Sequence, residues 1–421
     1  MRKWLWAVLL VTLALAIGAC GDDDDDDGGG DGQQAPSGDT SQASGNVNWC
    51  IGKDTSGAYG TAIDLFKQEN PDVTVQLVEL PESADEQRTQ LVQRLDAESD
   101  ECDVLGMDVI WTAEFAAQEW LQDTSEIIEP RQDDFIASTL ETAEYEDSYW
   151  AVPYHTNAGF LYYRTDQVDQ APETWEDVYA AAGENNGIVY QGARYEGLTV
   201  NFLELLYSGG GAVLSEDGSE VQVNSPEGQA ALEFMAAGVQ DGDAPRAVTT
   251  YMEEESRRAF ENGTATFMRN WPYAYALGKE SKIADNFDVG TFPGFEGGEP
   301  AGVLGGINLA ISAYSKNPEG AAAFINFATG PEVQKANFLE SAAPPATAAA
   351  YDDPEVQQEY AFASDLKGAV EQGQARPVSP VYSQISEAIF SNVHDALQGN
   401  AEPQAALEKM TSDIERALET F

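Results

Sequence analysis

From Trp49 to Leu121 the spacing of apolar residues switches between the period of a strand and the period of a helix. Trp49–Gly52 is a short apolar run of strand type, and Tyr59, Ala62, Ile63 and Phe66 then recur at helical spacing until Pro71. Val73, Val75 and Leu77 alternate with polar residues, Leu91, Val92 and Leu95 return to helical spacing, and Val104, Leu105 and Met107 form a third strand-like run before a helix over Phe115–Leu121. Strand, helix, strand, helix, strand predicts a parallel α/β layout, because parallel neighbours need a crossover between them. The pattern returns later. Ile188–Gln191 and Ala265–Met268 are strand-like; Leu198–Tyr207, Gly228–Ala237 and Pro318–Ala328 are helical, the last with proline in its first turn. Near the C-terminus Leu407, Met410, Ile414 and Leu418 share one helical face, and no short repeat is present. A chain of 421 residues is long enough for two such lobes.

Charge removes whole classes of function. Asp and Glu number 73 against 21 Lys and Arg, a formal charge of −52. Nucleic acid needs a basic footprint and is excluded as a partner, and anionic ligands and surfaces are disfavoured by the summed field. The acidity reads either as adaptation to high salt or as colloidal stability at a cell envelope. With two histidines and three cysteines there is little material for a zinc site, and no metal or cofactor is expected. There is no P-loop, no G-x-G-x-x-G opening a helix, no G-x-S-x-G elbow and no H-E-x-x-H. The chain therefore does not read as an enzyme, although 73 acidic residues supply carboxylate pairs that sequence cannot sort.

The N-terminus reads as an address. Arg2 and Lys3 precede an apolar run from Trp4 to Ile17, shorter than the ~20 residues of a secure membrane span. Residues 1–19 are expected to be a signal peptide. Ile17-Gly18-Ala19-Cys20 resembles a bacterial lipobox, which implies lipidation of Cys20; the alternative is a plain secretory signal with a chance cysteine. Residues 20–46 are expected to form an acidic, disordered linker, since Asp22–Asp27 repel one another and nothing nearby can build a core. A calcium loop is the other reading of that run, and it lacks the shaped turn such a loop requires. If Cys20 carries lipid, Cys50 and Cys102 remain. Outside the cytoplasm they are expected to pair, the alternative being a reactive thiol.

Four clusters place aromatic rings beside amides and charged groups: Tyr154-His155-Thr156-Asn157, Tyr195-Glu196, Arg269-Asn270-Trp271-Pro272-Tyr273 and Arg376-Pro377. Saccharides suit such groups. Their C–H faces pack on rings, and their hydroxyls need fixed donors and acceptors; a buried polar group left alone costs about 1–3 kcal/mol, which discriminates between sugars. Each cluster also has a structural reading. Tyr154 and Tyr273 can be core or rim aromatics, and Arg376 can simply pair with a carboxylate. Trp271, clipped by Pro272 after the Ala265–Met268 run, reads as a strand-end ring for ligand stacking.

With these residues in view, the chain from about Val47 to the C-terminus resembles the extracellular solute-binding proteins of carbohydrate ABC importers, in the maltose and trehalose branch. The resemblance is carried by CIGKDTSGAYGTAIDLF, DVLGMDVIWTAEFAAQEWL, VPYHTNAGFLYYR, EEESRRAFENGTATFMRNWPYAYA, GVLGGINLAISAYSKNPEGAAAFINF and RPVSPVYSQISEAI, in that order. It implies a periplasmic-binding-protein-like fold, two α/β lobes with a hinge and a ligand cleft between them. The lobes are expected to be discontinuous: 47–157 plus 305–343, and 158–304 plus 344–421. Pro153, Pro293–Gly294 and Pro344–Pro345 lie near the three expected crossings. Carried over by the resemblance, the ligand-binding residues are Asp54, Thr55, Asp108, Tyr154, Asn157, Tyr195, Glu196, Glu253, Trp271, Tyr273, Gly305, Gly306 and Arg376; His155 has no assigned role. The function implied is capture of a neutral di- or oligosaccharide by a monomer tethered to the outer face of the membrane through Cys20, and delivery to an ABC permease. A secreted carbohydrate-active enzyme and a non-transport scaffold lipoprotein are the alternatives.

Overall fold

The computed structural model describes residues 33–421 except 40, 42, 54–56, 185, 216–217, 296 and 421. The signal segment, Cys20, the aspartate run, Asp54 and Thr55 lie outside the described residues.

The first sheet is built from β1 (Gly45–Gly52), β2 (Val73–Leu80), β3 (Val104–Asp108), β4 (Val152–Asn157) and β9 (Gly305–Ile311), in the order β2-β1-β3-β9-β4. β1 runs parallel to β2 and β3, and the crossovers are helices α1 (Ala58–Glu69) and α2 (Ala84–Asp96). Strand alternation sorts the side chains onto two buried faces. Val47, Trp49, Ile51 and Val104 join Phe66 and Phe324 on one; Cys50, Leu105 and Met107 join Leu91, Leu95 and Phe115 on the other. A sheet covered on both faces explains why β1 and β3 read as apolar runs.

Cys50 and Cys102 are paired, with Cα atoms 5.6 Å apart, so the disulfide ties β1 to the turn before β3. The loop it closes spans 52 residues. Changing both cysteines to Ser is expected to lower unfolding stability by about 2–4 kcal/mol, measured by urea denaturation; an unchanged midpoint would show that the bond adds nothing.

The second sheet holds β5 (Phe160–Arg164), β6 (Ile188–Val189), β7 (Phe267–Asn270) and β8 (Phe287–Gly290), in the order β8-β5-β7-β6. Here the expected parallel layout is corrected. Only β6 and β7 are parallel; β5 is antiparallel to both neighbours, and β9 is antiparallel to β3 and β4 in the first sheet. Apolar alternation marks where strands and helices lie. Direction depends on which end of a sheet the chain enters after it has passed from one sheet to the other. Behind the second sheet pack α3 (Glu196–Ser208), α4 (Pro226–Asp241), α7 (Tyr382–Leu397) and α8 (Pro403–Leu418), through Leu198, Phe202, Ile389 and Met410. Between α4 and α7 in the chain come α5 (Glu253–Glu261), beside β7, and α6 (Pro318–Ala328), against β1 and β9.

Two local expectations also change. The helix expected over Phe115–Leu121 is Thr112–Ala117, ending before Glu119, whose φ of 58° breaks helical geometry. Part of the expected disordered linker is attached. Ala35 is buried, its N–H donates to Asp123 O at 2.7 Å, Asp123 N–H returns a bond to Gln33 O, and Asn326 donates to Gly38 O.

The chain passes between the sheets where three segments lie side by side. Thr156 of β4 pairs with Gly306 on one flank and donates its N–H to Pro344 O at 2.9 Å on the other. Gly306 has φ 136°, and a Cβ there would stand 2.3 Å from His155 O. Only glycine fits both the dihedral and the approach.

Candidate functional site

The expected site residues fall into two groups at the junction of the sheets, with one outlier. The first group gathers around Arg376. Its Nη2 donates to Asp108 Oδ1 at the end of β3, and its Nη1 donates to Glu196 Oε1 at the start of α3, each at 2.8 Å. A single guanidinium thus bonds carboxylates anchored beside different sheets. Glu196 also accepts from Tyr382 Oη at 2.7 Å and from Ser386 Oγ, both on α7. Burial pushes its pKa up to about 7 against the opposing pull of Arg376, and Asp108 adds a like charge. The Glu196 N–H donates to Asp85 Oδ2 of α2 at 3.2 Å; burial raises that carboxyl too. Glu114, bonded to Arg88, accepts from Ser383 Oγ at 2.9 Å, a further contact from one sheet's helices to the other's. Arg376 keeps its buried Nε without a hydrogen-bond partner among the described residues, beside a recess lined by Val109, Thr112, Leu304 and Pro377. Such a donor can be satisfied by a water or by a ligand atom.

The second group surrounds Trp271, which leaves β7 half-buried after Asn270. The Asn270 side chain accepts the Trp271 N–H at 2.8 Å and so fixes the turn. A Cβ on Gly305 would lie 3.1 Å from the indole and 3.5 Å from Asn157 Cβ, so bare backbone of β9 faces the ring. Tyr195, Trp271 and Arg269 lie around the Glu253 carboxyl, which burial pushes up and they draw down. Tyr273 Oη donates to Glu254 Oε1 at 3.0 Å, so its hydroxyl is already engaged on α5.

Tyr154 is the outlier. It is 1% exposed, packs on Trp49, and its hydroxyl accepts from Asn337 at 2.8 Å inside the first core. Sequence reasoning did not single out Gln191, Glu204, Tyr382 and Ser386, or give Arg269 a role of its own. Glu204 carried a usable signal: a lone charge inside the apolar run Phe202-Leu203-Glu204-Leu205-Leu206 must have a buried partner. Among the described residues no group of His, Cys, Asp and Glu is placed to hold a metal, and no helix is long and apolar enough to cross a membrane.

Two α/β sheets joined by three crossing segments, with an aromatic ring and bridging charges at their junction, define a two-lobed solute-binding architecture. The sequence model for bacterial extracellular solute-binding proteins matches residues 52–335, and the chain belongs to that family. A probable ABC transporter-binding protein of Deinococcus radiodurans is 34% identical over 365 residues, covering 82% of this chain and 86% of that protein. The maltose-bound structure of MalE3 from T. maritima superposes with a TM-score of 0.83 at 34% identity, over 88% of this chain and 99% of that one. A solute-binding protein from Thermotoga lettingae bound to α-D-tagatose gives a TM-score of 0.79 at 24% identity, covering 89% of this chain and all of that one (100%), which is a likeness of fold.

Proposed function

We propose that this chain captures a neutral di- or oligosaccharide of the maltose or trehalose type between two lobes and delivers it to an ABC permease. The lobes of this reading are 47–157 plus 305–343 and 158–304 plus 344–421. The observation that carries it is Trp271. A half-buried indole that follows β7 faces the Cβ-free backbone of Gly305 on β9, flanked by Asn157 and Glu253, and in the other group Arg376 Nε is a donor without a partner among the described residues. A pyranose face stacks on such a ring while its hydroxyls take up the polar groups around it. Glu196 and Asp108 serve through Arg376, since both accept from it, while Glu196 also accepts from Tyr382 and Ser386 and Asp108 from the Ile110 N–H. Asp54 and Thr55 complete the ligand set by resemblance. The similarity to a maltose-bound protein supports the choice of sugar class. The resemblance of Ile17-Gly18-Ala19-Cys20 to a lipobox supports attachment to the outer face of the membrane through Cys20, and the solute-binding family supports a carrier that leaves its ligand's bonds intact.

Calorimetric titration with glucose, maltose, maltotriose, trehalose and mannitol tests this reading. A micromolar Kd for a di- or trisaccharide is expected, about −8 kcal/mol, with the sugar recovered intact after prolonged incubation. Heat signals flat across the panel would remove the carrier reading, and hydrolysis products would transfer the chain to the carbohydrate-active enzymes.

A further inference from the structure

Beneath Trp271 lies a buried ion pair that the ligand does not need to touch. Arg269 and Glu204 are 1% exposed each, Arg269 on β7 and Glu204 on α3. Arg269 Nε donates to Glu204 Oε2 at 2.8 Å and its Nη2 donates to Glu204 Oε1, a two-pronged pairing; Nη1 donates to Gln191 Oε1 at 3.1 Å. The Gln191 amide in turn donates to Arg269 O and to Ser256 Oγ, and accepts from Asn201. The guanidinium carbon stands 3.9 Å from the centroid of the Trp271 ring. Space for the pair exists only because residue 159 is glycine. A Cβ at Gly159 would lie 2.6 Å from Glu204 Oε1 and 2.8 Å from Arg269 Nη2.

We propose that Arg269, locked by Glu204 and Gln191, is a positioning residue that holds the indole of Trp271 in the orientation needed to stack on the ligand. A planar guanidinium fixed at its edge presents a flat cationic face, and an aromatic ring settles parallel to that face by cation–π attraction and contact. One face of the indole is taken up in this way, which leaves the opposite face as the surface for a sugar. The fork geometry matters as much as the charge. A lysine at 269 supplies a cation but neither the plane nor the two-pronged hold on Glu204. A buried pair of this kind adds little to stability compared with an apolar pair of equal size, so its presence under a ligand-facing ring is accounted for by placement of that ring.

This inference rests on the saccharide reading above, and a double-mutant cycle separates the two. With the whole chain and the best-bound sugar of the panel, Trp271→Ala is expected to weaken binding about 30-fold or more. Arg269→Met is expected to weaken it about tenfold in the parent and less than about twofold in the Trp271→Ala background, because its effect passes through the ring. Arg269→Lys is expected to recover only part of the loss. Should Arg269→Met fold poorly with Glu204 left unpaired, the double variant Arg269→Met/Glu204→Met removes both charges with similar volume and carries the same expectation. Equal losses in both backgrounds, or full affinity in Arg269→Met, would overturn the positioning role while leaving the saccharide reading intact. A parent protein that binds no member of the panel overturns both.

Discussion

Arg376→Met is expected to lower unfolding stability by about 3–5 kcal/mol, the range for removing one partner from a buried ion pair. Arg376 is 5% exposed and stands between Asp108 and Glu196, each 2.8 Å away. Methionine fills part of the volume and supplies no donor. Glu196 would keep the Tyr382 and Ser386 hydroxyls but lose the cation paired with it, and Asp108 would lose its bond across the junction. The stem of Arg376 contributes packing as well, so part of the loss is apolar. Chemical denaturation of parent and variant at pH 8 gives the number. Adding Glu196→Gln and Asp108→Asn to Arg376→Met should return more than half of it, because the cost is that of stranded charge. If the single variant loses less than about 1 kcal/mol, the junction is solvated and the bridge is worth no more than a surface pair. The same variant reports on assembly of the lobes. Asp108 is carried by β3 of the first sheet, whereas Glu196, Tyr382 and Ser386 are carried by α3 and α7 behind the second. Loss of Arg376 therefore removes a tie between the two bodies.

The sequence showed the first sheet more fully than the second, for a physical reason. β1, β2 and β3 are buried or half-buried strands joined by crossover helices, so periodicity and proline punctuation point to one layout. In the second sheet the strand-like runs Ile188–Gln191 and Ala265–Met268 were legible, whereas β8, four residues long, is too short for a period to be read. The parallel direction of β1, β2 and β3 was legible, whereas that of β5 and β9 was not, because it is set by where the chain re-enters after a crossing, and that is a long-range property. At the site, residue types were legible and partners were not. Trp271 stood out because Pro272 ends its strand. Arg269, two residues earlier, looked like part of the same motif and showed no sign of its bond to Glu204, 65 positions away. Tyr154 looked like Trp271 by composition, yet β4 turns its ring into the core toward Trp49 while β7 delivers Trp271 to the junction. A local pattern identifies an aromatic beside polar residues; only the sheet's register decides which face it meets.

The pH profile of stability should carry the imprint of Glu196. Its pKa stands at about 7 in the folded chain against 4.5 for the free side chain, with burial as the leading cause. A carboxyl whose pKa is raised on folding holds its proton more tightly when folded, so the folded state is favoured most at low pH. That advantage is complete below about pH 4.5, falls as pH rises, and is gone above about pH 7. Glu196→Gln fixes the neutral form and removes this slope. The stability of Glu196→Gln minus that of the parent should therefore climb between about pH 4.5 and 7, by on the order of 3 kcal/mol, and then level off. Taking the difference cancels the titration of the many other acidic groups of the chain. It leaves a constant offset for exchanging the neutral carboxyl for an amide, which does not bend the curve; the pull of Arg376, Tyr382 and Ser386 on the ionised form is already contained in the folded pKa. Asp85, raised by burial, accepts the backbone N–H of residue 196, a bond that persists in Glu196→Gln, so its titration cancels in the difference. The opposing force is Arg376, whose charge favours the ionised carboxylate. If the difference curve is flat from pH 4 to 8, the pull of Arg376 cancels the effect of burial and Glu196 titrates in the folded chain as it does when free. If instead it slopes downward only below about pH 4.5, the bridge holds the folded pKa under its free value, and the junction gains stability as pH rises through that acidic range.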